Sequence, residues 1–135
     1  MTRHVLYCDG ASRGNPGPAS IGFVLYDPAG DPVAEVGNAI GETTNNVAEY
    51  QALIAGLEAS LERGVGRIEV RLDSLLLVKQ VTGEYRVKAS HLKPLQRRAV
   101  SLLTRFDEAS ITHVRRERNS VADALANRAL DEVGL

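Results

Sequence analysis

Hydrophobic and polar positions divide the chain into short apolar runs and longer segments with a helical repeat. The apolar runs predict strands, and the segments in which apolar residues recur every three or four positions predict helices. The first three runs are strand-like, and the turn residues Asp27–Asp31 join the second run to the third as a hairpin. Helices and strands then alternate, so the pattern predicts an α/β fold (α+β in some schemes) with a mixed five-stranded sheet covered by helices on both faces. The predicted strands are 3–9, Ile21–Tyr26, Val33–Ile40, Ile68–Leu72 and Ile111–Val114, and the predicted helices run from Thr44 or Asn45 to Gly64, from Ser74 to Gly83, from Leu92 to Phe106 and from Val121 to Leu130.

Composition predicts one domain, 1–135, without an internal repeat or a linker. The 135 residues are 44% hydrophobic and 24% charged, which is typical of a globular protein with a single core. The formal net charge is −1, so any nucleic-acid groove has to come from local clusters of basic residues. Such clusters lie between Lys79 and Arg98 and again at Arg115, Arg116 and Arg118, although a basic run is also typical of a solvated helix face.

Cys8 is the single cysteine of the chain, so it has no partner for an intramolecular disulfide and fits a reducing compartment. No apolar run approaches the ~20 residues that cross a bilayer, and the N-terminus lacks the apolar segment of a signal peptide. We therefore predict a cytoplasmic protein without a membrane partner.

Four acidic residues stand where a carboxylate is costly or conspicuous. Asp9 and Asp73 each end a predicted strand, and Glu49 and Asp123 lie on the apolar stripes of predicted helices. In isolation Asp9 also suits a turn and Asp73 a helix N-cap. Carboxylates without a cysteine or histidine cluster favour a hard cation such as magnesium or manganese over zinc. The pattern therefore predicts one metal-binding cluster.

The residues around these acids form four segments with a family resemblance. The segments are Asp9–Pro18, Thr43–Tyr50, Asp73–Gln80 and Asn119–Asn127. In order and spacing they resemble the signature segments of type 1 ribonuclease H, and the resemblance covers essentially the whole chain. It implies the ribonuclease H fold, in which the first strand is central and pairs with the fourth.

The resemblance implies an endonuclease that hydrolyses the RNA strand of RNA–DNA hybrids to 3′-hydroxyl and 5′-phosphate products. Asp9 is then the ligand shared by two Mg²⁺ ions, Glu49 and Asp73 bind one ion, and Asp123 binds the other, with Mn²⁺ as a substitute. The implied partner is the hybrid itself. We expect a monomer without an obligatory protein partner.

Substrate contacts are also implied by the resemblance. Short polar side chains and backbone amides near the acids suit phosphates and ribose hydroxyls, although turn and helix-cap roles are the alternative. The implied contact residues are Gly10, Asn15, Thr43, Asn45, Asn46, Arg116 and Asn119.

The chain departs from the family pattern in two ways. Many members carry a catalytic histidine in the loop before the last aspartate, but the loop Val114–Asn119 has none, so Arg118 or Arg116 is expected to take part instead, with Arg118 favoured. His4, His91 and His113 are expected to be structural or surface residues. The chain also has no tryptophan, and it lacks the basic protrusion of longer members, which predicts weaker and more salt-sensitive hybrid binding.

Two other functions stay open at this point. One is a hybrid-binding module with little turnover, which the four retained carboxylates disfavour. The other is a different metal nuclease of the same fold, such as a junction resolvase or the nuclease domain of a reverse transcriptase. The pair Asn45–Asn46 ahead of Glu49 favours hybrid recognition over that alternative.

Overall fold

The computed structural model describes residues 2–134. Within this range a sheet of five strands is combined with α-helices and one short 3-10 helix. The strands are β1 (His4–Ser12), β2 (Gly17–Tyr26), β3 (Pro32–Thr43), β4 (Arg67–Leu72) and β5 (Glu108–His113), and the helices are α1 (Asn45–Glu62), α2 (Leu75–Val81), α3 (Lys93–Leu103), the 3-10 helix (Arg116–Asn119) and α4 (Ser120–Glu132).

The strands are ordered β3-β2-β1-β4-β5, which confirms the mixed sheet that the sequence predicts. β1 lies at the centre, antiparallel to β2 and parallel to β4. Its register with β4 pairs Cys8 with Leu72. Because the two strands run in the same direction, the residues that follow, Asp9 and Asp73, lie side by side where this pairing ends. β1 itself continues past its predicted end at residue 9 to Ser12, because its pairing with β2 continues, and Asp9 pairs with Gly22.

Helices cover the sheet on both faces. Strand residues alternate between faces, so Ile21, Phe23 and Leu25 of β2 join the main core with α1, α2 and α3. The residues between them face α4, as the hydrogen bond from Ser20 Oγ to the Ala126 carbonyl oxygen shows (2.6 Å). No helix within residues 2–134 is long and apolar enough to cross a membrane.

Several boundaries differ from the predicted ones. β2 begins at Gly17 instead of Ile21, because its pairing with β1 continues past the apolar run to the pair Ser12–Ala19. β5 begins at Glu108 instead of Ile111, because its exposed first residues pair with β4. The segment Arg116–Asn119, predicted as a loop, forms the 3-10 helix. In each case backbone hydrogen bonds form through residues that carry no hydrophobic signal.

Candidate active site

Three carboxylates meet where the pairing of β1 with β4 ends. One oxygen each of Asp9, Glu49 and Asp73 lies within 4.8 Å of the other two. Asp9 is buried, with 7% of its surface exposed, and the other two are half-buried. Parallel pairing of β1 with β4 brings the two aspartates together, and α1 supplies the glutamate.

Glu49 reaches this edge because α1 packs very closely on β1. A Cβ atom on Gly10 would stand 2.3 Å from the carbonyl carbon of Ala48, so only glycine permits the approach. The Gly10 amide then donates to Glu49 Oε1 at 3.1 Å. Thr44 caps the helix, since its Oγ1 accepts from the Val47 amide at 3.3 Å. Together these contacts fix the direction of the Glu49 side chain.

Asp123 enters from the opposite face of the sheet, in the first turn of α4. Its carboxylate accepts from Asn127 Nδ2 at 3.2 Å, one helical turn further on. Although it lies outside the tight group of three, it is close enough for its side chain to raise the pKa of Asp9. The structure therefore brings all four predicted acids to one place.

Burial and mutual repulsion dominate the electrostatics of the cluster. Burial, followed by the charges of Glu49 and Asp73, raises the pKa of Asp9 far above its ordinary value. Burial also raises the pKa of Glu49, while hydrogen bonds from Asp9 and the Gly10 amide act in the opposite direction. Crowded carboxylates of this kind are stabilised by a cation, so the donor set fits a divalent metal ion.

Cys8 does not belong to the donor set. Its thiol is buried on the α1 side of β1. Burial, followed by the charges of Glu49 and Asp9, raises the pKa of this thiol well above its ordinary value, so the thiolate that a metal would need is disfavoured. The site thus offers oxygen ligands, which suit magnesium or manganese.

Comparison with known proteins places this geometry in a family. A family model described as reverse transcriptase-like matches residues 7–129. A curated ribonuclease HI of Halobacterium salinarum is 56% identical over 126 residues, which cover 93% of this chain and 63% of that protein. The chain thus spans less than two thirds of the length of this curated relative.

Solved structures agree with the sequence comparison. The crystal structure of RNase H1 from the halophilic archaeon Halobacterium salinarum NRC-1 superimposes with a TM-score of 0.94 at 55% identity, covering 96% of this chain and 98% of that one. The crystal structure of LC11-RNase H1 in complex with an RNA/DNA hybrid gives a TM-score of 0.91 at 41% identity, covering 97% and 99%. This chain belongs to the type 1 ribonuclease H family.

Asn119, which ribonuclease H resemblance suggests as a substrate contact, is buried beneath the acids. Only 1% of its surface is exposed, and its Nδ2 donates to the Cys8 carbonyl oxygen at 2.9 Å and to Asp73 Oδ2 at 3.1 Å. Its Oδ1 is buried without a hydrogen-bond partner among residues 2–134. In this position the Asn119 amide holds Asp73 against β1.

The polar residues ahead of Glu49 lie on the surface around the start of α1. Asn15 and Asn45 are held together, since the Asn45 amide donates to Asn15 Oδ1 at 3.1 Å. Thr43 is tied to the first hairpin by a 3.2 Å hydrogen bond from Ser12 Oγ to its carbonyl oxygen. The side chain of Asn46 is exposed beside them. This arrangement leaves the short side chains of Asn15, Asn45 and Asn46 exposed at the start of the helix that carries Glu49.

The two arginines of the ribonuclease H loop point to different places. The positive charge of Arg116 opposes the rise in the pKa of Glu49 that burial causes, so this arginine acts on the acids through its charge. Arg118 instead lines a cavity with Tyr7 and Arg71 on the α4 side of the sheet. Sequence spacing alone did not distinguish these directions, because both residues lie in the same short helical turn.

His113 lies nearer the acids than the sequence suggested. Its Nε2 is 3.3 Å from the backbone carbonyl oxygen of Asp73, and its side chain is exposed. This position follows from the parallel pairing of β5 with β4, which sets His113 opposite Leu72, the residue before Asp73. The contact reaches the backbone of Asp73 and leaves the carboxylate free.

Proposed function

We propose that this chain is a metal-dependent endoribonuclease that hydrolyses the RNA strand of RNA–DNA hybrids and leaves 3′-hydroxyl and 5′-phosphate ends. The observation that carries the proposal is the group of three carboxylates, Asp9, Glu49 and Asp73, with oxygens within 4.8 Å of one another. Family membership and the likeness to a ribonuclease H1 that is bound to a hybrid support it.

The four acids are proposed to hold Mg²⁺, with Mn²⁺ as a substitute. When bound, divalent ions supply an activated water and neutralise the charge that develops on the leaving oxygen. Asp9 provides a buried carboxylate at the centre, while Glu49, Asp73 and Asp123 approach from three other elements. The Gly10 amide and the Asn119 amide keep the Glu49 and Asp73 carboxylates oriented.

Recognition of the hybrid is assigned to the surface around Asn15, Thr43, Asn45 and Asn46. Amide groups of this size donate to phosphates and to the 2′-hydroxyls that distinguish RNA from DNA. Gly10 contributes its position, because the absence of a side chain there lets α1 pack against β1 and brings Glu49 to the site. A monomeric state and a cytoplasmic location stay predictions from the sequence.

Cleavage of labelled substrates tests the proposal. The protein is incubated with RNA–DNA hybrid, duplex RNA, duplex DNA and single strands, each with Mg²⁺, Mn²⁺ or a chelator. We expect metal-dependent cuts in the RNA strand of the hybrid, and an activity loss of at least about a thousandfold for Asp9→Asn. Asp31→Asn, in the exposed β2–β3 turn, is the matched control and is expected to cleave normally.

The alternatives predict different results. A hybrid-binding module would retain the hybrid without cutting it, with or without metal. Another metal nuclease of the fold would cut DNA duplexes or junctions at least as well as the hybrid. If Asp9→Asn cleaves the hybrid normally, the acid cluster is not required for catalysis.

A further inference from the structure

A cavity of about 330 Å³ lies on the α4 side of the sheet, next to the acids. Its floor is the outward face of β1, and it extends from Asn119 to the turn between β2 and β3. This volume is within the range of pockets that hold small ligands. The residues that line it are Arg3, Val5, Tyr7, Tyr26, Asp27, Pro28, Gly30, Arg71, Arg118, Asn119, Val121 and Ala122.

The cavity carries arginines that are held in place. The carboxylate of Glu69, with 7% of its residue surface exposed, pairs with Arg3 Nη2 at 2.5 Å and with Arg71 Nε at 2.5 Å. Arg118 is exposed and takes part in none of the ion pairs found within residues 2–134. The carboxylate of Asp27 is hydrogen-bonded within the turn, since its Oδ1 accepts from the backbone amides of Ala29 and Asp31.

The guanidinium groups of the cavity suit an anion. Arg3, Arg71 and Arg118 line it, and Arg118 has no carboxylate partner among the ion pairs found within residues 2–134. The guanidinium groups therefore have donors left for a phosphate.

Aromatic rings form the second part of the cavity. Tyr7 and Tyr26 meet edge to face, with ring centroids 5.8 Å apart and planes at 88°. The guanidinium of Arg71 lies 5.4 Å from the Tyr7 ring centroid and donates to the Tyr7 hydroxyl at 2.5 Å. Rings that are fixed in this way suit the stacking of a base, which any nucleobase can provide.

One buried residue links the cavity to the acids. Asn119 lines the cavity and also donates to the carboxylate of Asp73. An anion with an aromatic group, bound next to a phosphodiester-cleaving site, has the chemistry of a nucleotide.

We propose that this cavity binds a nucleoside 5′-phosphate, with the phosphate at Arg3, Arg71 and Arg118 and the base against Tyr7 and Tyr26. The ligand is either a free mononucleotide or the 5′-phosphorylated end of an RNA strand. The second form rests on the proposed function, because hydrolysis of the RNA strand at the acids produces this end.

Titration in the absence of metal tests the cavity without any turnover. ¹⁵N-labelled protein is titrated with AMP, with a 5′-phosphorylated pentaribonucleotide and with the same pentamer carrying a 5′-hydroxyl. We expect amide shifts at Tyr7, Tyr26 and Arg118, and about tenfold tighter binding of the phosphorylated pentamer, since a charge-assisted hydrogen bond is worth roughly 1.4 kcal/mol. The replacements Arg118→Gln and Arg3→Gln should each weaken this binding about tenfold.

Arg97→Gln is the matched control, because Arg97 is exposed on α3, which packs with the core on the other face of the sheet. Equal binding of AMP and the two pentamers, equal loss in the control, or no shifts at Tyr7 and Tyr26 would overturn the proposal. Preference for AMP over both pentamers identifies the free nucleotide as the ligand. Preference for the phosphorylated pentamer identifies the RNA end.

A hybrid-cleavage assay on the same preparations separates this proposal from the proposed function. If the protein cleaves the hybrid but shows no phosphate-dependent binding, the proposal that the cavity binds a nucleoside 5′-phosphate is wrong and the proposed function is unaffected. Phosphate-dependent binding without any cleavage would contradict the proposed function and leave the mononucleotide form of the proposal supported.

Discussion

Asp9 has the most strongly raised pKa of the acids in the site. Burial raises its pKa first, and the charges of Glu49 and Asp73 raise it further. Without a cation the folded protein therefore holds a proton on this cluster over a pH range in which an unfolded aspartate, with a pKa of about 3.9, has lost it.

This proton makes the stability of the metal-free protein depend on pH. Between about pH 4 and the raised pKa the folded state binds more protons than the unfolded state, so the free energy of unfolding falls as pH rises. Asp9→Asn removes the contribution of Asp9 to this effect. In a chelator the variant should match the parent near pH 4 and exceed it by roughly 1–3 kcal/mol at pH 8. Urea denaturation from pH 4 to pH 9 measures this, and a difference that does not change with pH would contradict it.

The loop arginines make a second prediction at the scale of single residues. A guanidinium stays protonated at neutral pH, so it acts by charge and not as a general base. Sequence analysis favours Arg118, but in the structure the charge of Arg116 acts on Glu49, where it opposes the rise in pKa that burial causes. We therefore expect Arg116→Ala to lower turnover at saturating hybrid about tenfold or more.

Arg118→Ala is the comparison within the same helical turn. We expect it to change affinity and salt dependence more than turnover, because Arg118 lines the cavity beside Tyr7. Steady-state kinetics on the hybrid at several salt concentrations separates the two variants. The assignment would be reversed by a larger loss of turnover in Arg118→Ala.

At the scale of elements, α4 positions Asp123 through contact with a glycine of β2. A Cβ atom on Gly22 would stand 2.2 Å from the Ala122 carbonyl oxygen and 2.8 Å from the Ala126 amide nitrogen. Both are backbone atoms, so the helix itself would have to move. Since Gly22 pairs with Asp9 across β1 and β2, this contact sets the distance between α4 and the central acid.

Gly22→Ala should therefore affect stability and activity together. We expect a loss of about 1–3 kcal/mol in unfolding free energy from overpacking, and lower turnover by the folded protein because Asp123 is displaced. Gly64→Ala is the control, since that glycine has a positive φ of 75° but no atom within 4 Å of an added Cβ. It should lower stability without lowering turnover. Full activity in Gly22→Ala would show that the position of α4 is not critical.

At the scale of the whole molecule, the site assembles from β1, α1, α4 and the end of β4. These elements can bind a cation together only when they are packed against one another, as they are in the folded protein. Metal binding therefore stabilises the folded state by mass action.

Added Mg²⁺ should raise the melting temperature of the parent in proportion to the logarithm of its concentration above Kd. The shift should be smaller for Asp9→Asn, which has lost the central carboxylate. Differential scanning calorimetry with MgCl₂, against KCl of equal ionic strength, measures the effect. Equal shifts for the two salts would contradict a specific ion site.

The sequence by itself determined the elements and the identity of the acids. Apolar alternation defined β1 and β4, and the change from apolar to acidic residues marked Asp9 and Asp73. The pairing of the two strands does end directly before these acids, at Cys8 and Leu72, although β1 itself continues to Ser12. Glu49 was identifiable because a carboxylate on an apolar helical stripe needs a partner. These signals are local in sequence, so a single chain is enough to find them.

Only the tertiary structure decided what surrounds the acids. The buried amide of Asn119, the different directions of Arg116 and Arg118 and the cavity beside Tyr7 all depend on how α4 and the 3-10 helix pack against the sheet. Such placements arise from contacts between residues far apart in the chain, such as Asn119 with Cys8, 111 positions away. Hydrophobic periodicity reports which face of an element is buried, but it does not specify the rotation and depth at which two elements meet.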